Sequence, residues 1–146
     1  MTAKEYLEQY RHKELLLLRV RDEYRKELDH IDTIRSALDS SGITSGQASK
    51  TVELKAMRLA EKAERLREAE LEALATRQKV FDVIAKIVGV KGQVLYERYI
   101  NLKKWEDVAA AVNYEERHTR RIHAEALRDV EELLTDPSKY SVFSII

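Results

Sequence analysis

The sequence predicts an all-α protein: a long antiparallel helical hairpin, coiled-coil-like in its packing, followed by a C-terminal three-helix domain containing a helix-turn-helix. Three observations carry this expectation. Apolar residues recur at 3-4 spacing through most of residues 1–88, the period of a helix that buries one stripe. The 146 residues include only four glycines and one proline, too little turn punctuation for a many-stranded β fold. Charged residues make up 36% of the chain and accompany abundant Ala and Leu, the composition of long helices.

The first helix is read over residues 3–38. Its seam is Ala3, Tyr6, Tyr10, Lys13, Leu17, Val20, Tyr24, Glu27, Ile31, Ile34 and Leu38, interrupted only by Lys13 and Glu27. Persistence over about five heptads favours coiled-coil packing. A straight helix of this length spans about 54 Å at ~1.5 Å per residue and cannot bury such a stripe against itself. Residues 39–50, from Asp39 to Lys50, are rich in Ser, Gly and Thr and read as a loop. Ser49 or Thr51 would cap the next helix. That helix is expected from Thr51 to about Val88, with Val52, Leu59, Ala63, Leu66, Ala73, Val80, Ile84 and Ile87 as its stripe. Paired as a hairpin, the two helices still leave apolar edges, so a two-fold homodimer is expected. Leu15, Leu16, Leu17 and Leu18 cover all sides of one turn and would mark a contact with the C-terminal module or a second subunit.

Gly89-Val90-Lys91-Gly92 marks the next break. Its spacing matches the GXXG loop that clamps nucleic-acid backbone, but that loop needs flanking strands, and a turn between helices is the better reading. Short helices follow at Gln93 to Ile100 and Trp105 to Val112, and a third from Glu115 to about Leu134. They are joined by Asn101-Leu102-Lys103-Lys104 and Asn113-Tyr114, and Asp136-Pro137 ends the third. The expected organisation is an oligomerising hairpin at 1–88, a DNA-binding domain at 89–135 and an apolar tail at 136–146.

The last three helices have the plan of a helix-turn-helix module. Ala109 supplies the small residue where the two helices cross. Asn113, four residues on, tolerates the left-handed turn. Val108, Val112, Tyr114 and Ile122 are expected to face inward, with Trp105 and Leu102 closing the core against Leu95, Tyr96 and Tyr99. The outward face of the third helix would then carry Glu116, Arg117, Arg120 and Arg121, with His118 and Thr119 beside them. Arginine can grip guanine O6 and N7, or a phosphate, with two hydrogen bonds. Lys103 and Lys104 add local positive charge. The DNA-binding candidates are therefore Lys103, Lys104, Glu116, Arg117, His118, Arg120 and Arg121. Residues 91–128 hold eight Lys/Arg and six Asp/Glu, a net of only +2. Affinity of one module would be weak, so dimerisation or a polymerase partner is expected to supply the rest.

Other function classes find little in the sequence. With no cysteine there is no disulfide, Cys-ligated zinc or thiol catalysis. No apolar run approaches the ~18 residues of a membrane span, and no signal peptide is read at the N-terminus, so a cytoplasmic protein is expected. Phosphate-loop, Gly-x-Ser-x-Gly and His-Glu-x-x-His motifs are missing, and no enzymatic activity or cofactor is expected. His118 and His123 point about 140° apart on a helix of ~3.6 residues per turn, poorly placed to share a metal, and His12 and His30 are remote.

Residues 93–130 resemble region 4 of bacterial sigma factors. Trp105-Glu106-Asp107-Val108-Ala109-Ala110-Ala111-Val112-Asn113-Tyr114 is similar to the supporting helix and turn. Arg117 to Val130, containing Ile122-His123-Ala124-Glu125-Ala126-Leu127-Arg128, is similar to the recognition helix. With Thr2-Ala3-Lys4-Glu5-Tyr6-Leu7, the hairpin and Tyr96-Glu97-Arg98-Tyr99-Ile100, the chain resembles small phage and prophage regulators with a sigma-region-4-like domain, similar in plan to ArpU/RinA-type regulators of late transcription. Two positions depart from the pattern: Asn113 replaces the usual glycine and Glu115 the usual Ser/Thr cap. The resemblance implies a sequence-specific activator that binds double-stranded DNA through Glu116, Arg117, Arg120 and Arg121, acts with bacterial RNA polymerase, and works at the host nucleoid. The rival readings are a small terminase subunit that recognises phage DNA for packaging, and a module that contacts only polymerase or sigma factor.

Overall fold

Helix α1 (Ala3–Ser41) opens on a reciprocal cap. The Glu5 N–H donates to Thr2 Oγ1 at 3.2 Å, and Glu5 Oε2 accepts the Thr2 N–H at 2.8 Å. This satisfies two backbone donors that a helix start leaves unpaired. The computed structural model describes residues 1–41 and 46–138, and all regular structure in them is helical. After α1 come α2 (Gly46–Ile84), α3 (Val90–Leu95), a π-helical turn (Tyr96–Ile100) that continues α3 directly, α4 (Trp105–Val112) and α5 (Glu116–Thr135).

The expected loop at 39–50 is largely helical. α1 runs through Ser41 and α2 starts at Gly46, so neither Ser49 nor Thr51 is its cap. Serine and threonine survive at the end of α1 because their hydroxyls bond back to the preceding turn. Thr33 Oγ1 donates to the Asp29 carbonyl and Ser40 Oγ to that of Ser36, both at 2.9 Å. Residues 42–45 of the expected loop, and 139–146 of the expected tail, lie outside the described residues.

By contacts the chain divides into two compact units, one of Glu14–Ala73 and one of Met1–Lys13 with Leu74 onward. Within Glu14–Ala73 the seams are legible. Leu17, Ile31, Ala69 and Ala73 are buried; Val20, Tyr24, Ile34, Val52, Leu59, Ala63 and Leu66 are half-buried. The seam break at Glu27 is filled by charge from the facing helix. Its Oε2 lies 3.3 Å from Lys62 Nζ and its Oε1 3.8 Å from Lys55 Nζ. Glu23 reaches Lys62 at 3.5 Å and Arg21 reaches Glu70 at 3.9 Å. Partners descend along α2 as positions ascend along α1, so the two helices run antiparallel in this unit.

Only 12% of the Glu27 side chain is exposed, and its Oε1 has no hydrogen bond. A charge held so tightly between two lysines does more for register than for stability: any slip along the seam would strand it against apolar side chains. Desolvation raises the Glu27 pKa, but the Lys62 hydrogen bond and the charges of Lys55, Lys62 and His30 outweigh it and bring the group below the ordinary carboxylate value. A depressed carboxylate contributes stability above its unfolded pKa and loses it as pH falls through the folded one. Glu27→Gln is therefore expected to melt below wild type at neutral pH, with the gap closing as pH falls below the ordinary glutamate value of 4.5, measured by thermal denaturation across pH. A gap independent of pH would contradict this.

The other unit has two cores. The larger gathers Ala3 and Leu7 from α1, Val80, Val83 and Ile84 from α2, then Ile87, Leu95, Tyr99, Ile100, and Ala126, Val130 and Leu133 from α5. The smaller is Val94, Val108 and Ile122, flanked by Trp105 and Val112. The first turns of α1 and the last of α2 thus share a core with the C-terminal helices, across the boundary read at residue 88. One polar link reinforces it: the Ala3 N–H donates to Glu131 Oε2 at 2.8 Å. Within the C-terminal helices, Lys91 of α3 pairs with Asp129 of α5 at 3.1 Å.

The glycine break differs from expectation. α2 ends at Ile84, earlier than Val88, and α3 starts at Val90, earlier than Gln93. Gly89 closes the 85–89 connection at φ 78°, a left-handed backbone that favours glycine. Gly92 sits buried inside α3, where an added Cβ would lie 2.0 Å from the Ile87 carbonyl oxygen. The segment is thus a helix start packed on its neighbour, and no strand flanks it among the described residues. Gly92→Ala must push α3 away from Ile87 and is expected to destabilise by about 1–3 kcal/mol in a denaturant titration. A change within about 0.5 kcal/mol would contradict the close approach.

Candidate nucleic-acid interface

α4 begins and ends where its apolar pattern does, at Trp105 and Val112. Val108 and Ala109 are buried on its inner face. Asn113 then adopts φ 61° and ψ 37°, the left-handed conformation that closes a helix, and the Tyr114 N–H donates to the Ala109 carbonyl at 3.2 Å. Glu115 follows in extended geometry and makes no side-chain cap. Its carbonyl instead accepts the Thr119 N–H and the Thr119 hydroxyl, each at 2.9 Å.

Two expected orientations are overturned here. Tyr114 does not face inward: it is 47% exposed, and its ring stands edge-on to His118 at 4.8 Å between centroids. Val108, Ile122, Trp105 and Val112 already fill the small core. Thr119 does not stand beside the outward arginines: it is fully buried. It begins the buried series Thr119, Ile122, Ala126, Val130, Leu133, whose 3-4 spacing fixes the inner face of α5.

Glu116, Arg117, His118, Arg120 and Arg121 are exposed, as is Lys104, while Lys103 is half-exposed. Projected at ~100° per residue, Arg117, Arg121, Ala124 and Arg128 lie opposite the buried series. Neither Arg117 nor Arg121 forms an ion pair with a described residue. Arg120 is engaged: its Nε and Nη2 donate to Glu116 Oε1 at 3.2 and 2.9 Å, and its guanidinium lies 5.1 Å from the Trp105 ring centroid. Lys103 is engaged too, with its Nζ 2.6 Å from Glu97 Oε2. The seven expected residues therefore split into outward side chains on Lys104, Arg117, His118 and Arg121, and the internally tied Lys103, Glu116 and Arg120.

Glu97 and Arg98 are structural partners that the sequence reading missed. The π-helical turn, closed by the Asn101 N–H on the Tyr96 carbonyl at 3.1 Å, buries Glu97. Glu97 accepts from Gln93 Nε2 and Asn101 Nδ2, both at 3.0 Å, as well as from Lys103. Burial raises its pKa, but these donors and the lysine charge prevail and hold it below the usual value. The signal was available: Gln93, Glu97 and Asn101 stand four apart, on one helical face. Arg98 Nη1 donates to the Lys103 carbonyl at 2.8 Å and its guanidinium lies 4.7 Å from the Trp105 centroid. Trp105 thus holds two cations, each contact worth about 0.5–2 kcal/mol. Against it stands His123, edge-on at 4.5 Å, whose Nε2 is 2.7 Å from the Tyr99 hydroxyl.

Among the described residues no group of three or more His, Asp or Glu side chains is arranged to hold a metal, and no helix is long and apolar enough to cross a membrane. Comparison with protein-family models, with curated proteins and with solved structures returned no significant match.

Burial, followed by the charges of Arg98, Lys4 and Arg120, brings His123 from 6.5 down to about 4. A histidine depressed in the folded state stays neutral while the unfolded chain takes up a proton. Its contribution is complete above the unfolded pKa and is lost as pH falls from 6.5 toward 4. With the ring partly exposed, the loss is expected to be about 2 kcal/mol. The His123 ring protons should titrate near pH 4 in an NMR series. A midpoint near 6.5 would contradict the packing described.

Proposed function

We propose that this chain is a sequence-specific double-stranded DNA-binding regulator, in which α4, the Asn113 turn and α5 act as a helix-turn-helix and α5 enters the major groove. The observation that carries this reading is the left-handed Asn113 between a helix with buried Ala109 and a helix whose outward face presents Arg117 and Arg121, which pair with no described residue. In this reading Arg117 and Arg121 make base or phosphate contacts, Lys104 reaches the backbone, and His118 lies at the edge of the groove. Glu116 orients Arg120. The Glu97–Lys103 pair and the Trp105 cluster hold α4 and α5 at fixed geometry. Lys103 serves mainly as a structural cation.

The antiparallel pairing of α1 and α2 in Glu14–Ala73 is read as an oligomerising hairpin. Leu15, Leu16, Leu18, Leu54, Met57 and Leu71 are 44–62% exposed there, apolar area that a second copy would cover in this reading. A homodimer would double the modest charge of each module. The resemblance to phage and prophage regulators suggests late genes as targets, RNA polymerase as a second partner and the host nucleoid as the place of action.

Selection from a randomised duplex pool tests the reading, with affinity for the enriched sequence followed against salt. An enriched motif with two half-sites is expected. Arg121→Ala should weaken specific binding by about 1–3 kcal/mol if it reads a base, or lower the salt slope by about one if it holds a phosphate. Absence of any enriched sequence and of salt dependence would overturn the DNA reading and leave a protein-contact module.

A further inference from the structure

A cleft of about 220 Å³ is lined by Lys4, Arg98 and Arg120, by Tyr99, Trp105 and His123, and by Glu8. Its three cations come from three separate elements: the first turn of α1, the π-helical turn and α5. One carboxylate, Glu8, faces them. Glu116 adds a second negative charge through its bond to Arg120, so three cations meet two carboxylates, and a local excess of positive charge remains in a chain of zero formal net charge. The guanidiniums are not free to swing away from one another. Arg98 is held by the Lys103 carbonyl and Arg120 by Glu116, and both rest on Trp105. The Tyr99 hydroxyl occupies His123 Nε2, which turns that ring into a wall of the cleft. Fixed like charges in a partly closed, aromatic-walled space repel, and an anion placed between them relieves that repulsion.

We propose that this cleft is a binding site for a phosphoryl-type oxyanion, gripped by Lys4, Arg98 and Arg120 beside the Trp105 ring. Arginine and lysine donors suit a tetrahedral oxyanion, and the aromatic wall keeps the charges partly desolvated. The strong downward shift of His123, caused by burial and then by these same three cations, is consistent with the positive field there. The proposal does not rest on the DNA reading. The same phosphoryl chemistry can reach the cleft as free phosphate or as a backbone phosphodiester.

Trp105 is the only tryptophan, so its fluorescence reports on the cleft directly. The full-length protein is titrated with inorganic phosphate at constant ionic strength, using chloride as the matched control. A parallel arm uses a short duplex DNA. Saturable quenching or enhancement by phosphate, not reproduced by chloride, is expected. Lys4→Gln, an exposed residue on the first turn of α1, should weaken it by about tenfold. Bound phosphate should also raise the His123 titration midpoint, because it offsets the cations. A phosphate response that duplex leaves untouched identifies a free oxyanion as ligand. A duplex response that phosphate competes away, and that Lys4→Gln weakens, identifies a backbone phosphodiester. No saturable change in either arm, or one unaltered in Lys4→Gln, would overturn the site.

Discussion

The placement of Ala3 and Leu7 against the last turns of α2 and the C-terminal half of α5 is the contact on which the second unit depends. Leu7 is fully buried, in a core with Val80, Val83, Val130 and Leu133. Through it the two ends of the described chain meet, tied also by the Ala3 N–H on Glu131, 128 residues away. α5 is consequently held twice: its second half by α1 and α2, and its first half by α3 and α4 around Val94, Val108 and Ile122. A helix of 20 residues fixed at both halves presents its outer face without freedom to rotate. Arg117 and Arg121 owe their position to that constraint and not to any bond of their own.

Two poorly exposed carboxylates serve this architecture in different ways. Glu27 sits in a seam between two long helices and answers two lysines, so its role is register. Glu97 sits on a π-helical turn and collects Gln93, Asn101 and Lys103, so its role is to fix the 101–104 connection that launches α4. In both cases removing one member leaves a charge stranded, which is costlier than never having buried the pair. Arg117 and Arg121, outward on α5, differ, because no described residue neutralises them.

Much of this was legible in the sequence, and the pattern of success has a physical cause. The 3-4 seam of α1 is a local signal, and its positions from Ala3 to Leu38 are buried or half-buried, the interrupting Lys13 and Glu27 included. The bounds of α4 and the left-handed turn at Asn113 follow from composition within a few residues. The Thr2–Glu5 capping box is equally local. What escaped depends on how turns and connections fold one segment back onto another. No local pattern says that Gly92 must let α3 approach Ile87, that Glu97 claims Lys103, or that Tyr114 turns outward because the small core is already full. The inward turn of Thr119 was readable in its spacing to Ile122 and Ala126, but a threonine beside arginines suggests a polar face. The reading of residues 1–88 as separate from the rest failed to anticipate the shared core, since 3-4 spacing describes a stripe without naming what covers it.

The most direct test of this account is hydrogen exchange of the α5 amides in Leu7→Ala. If the first turns of α1 hold the C-terminal half of α5, protection at Ala126, Val130 and Leu133 should fall by about 2–5 kcal/mol, the cost of a large-to-small change in a packed core. Unchanged protection in α5, with the loss confined to α1, would contradict the claim that both helices share one core.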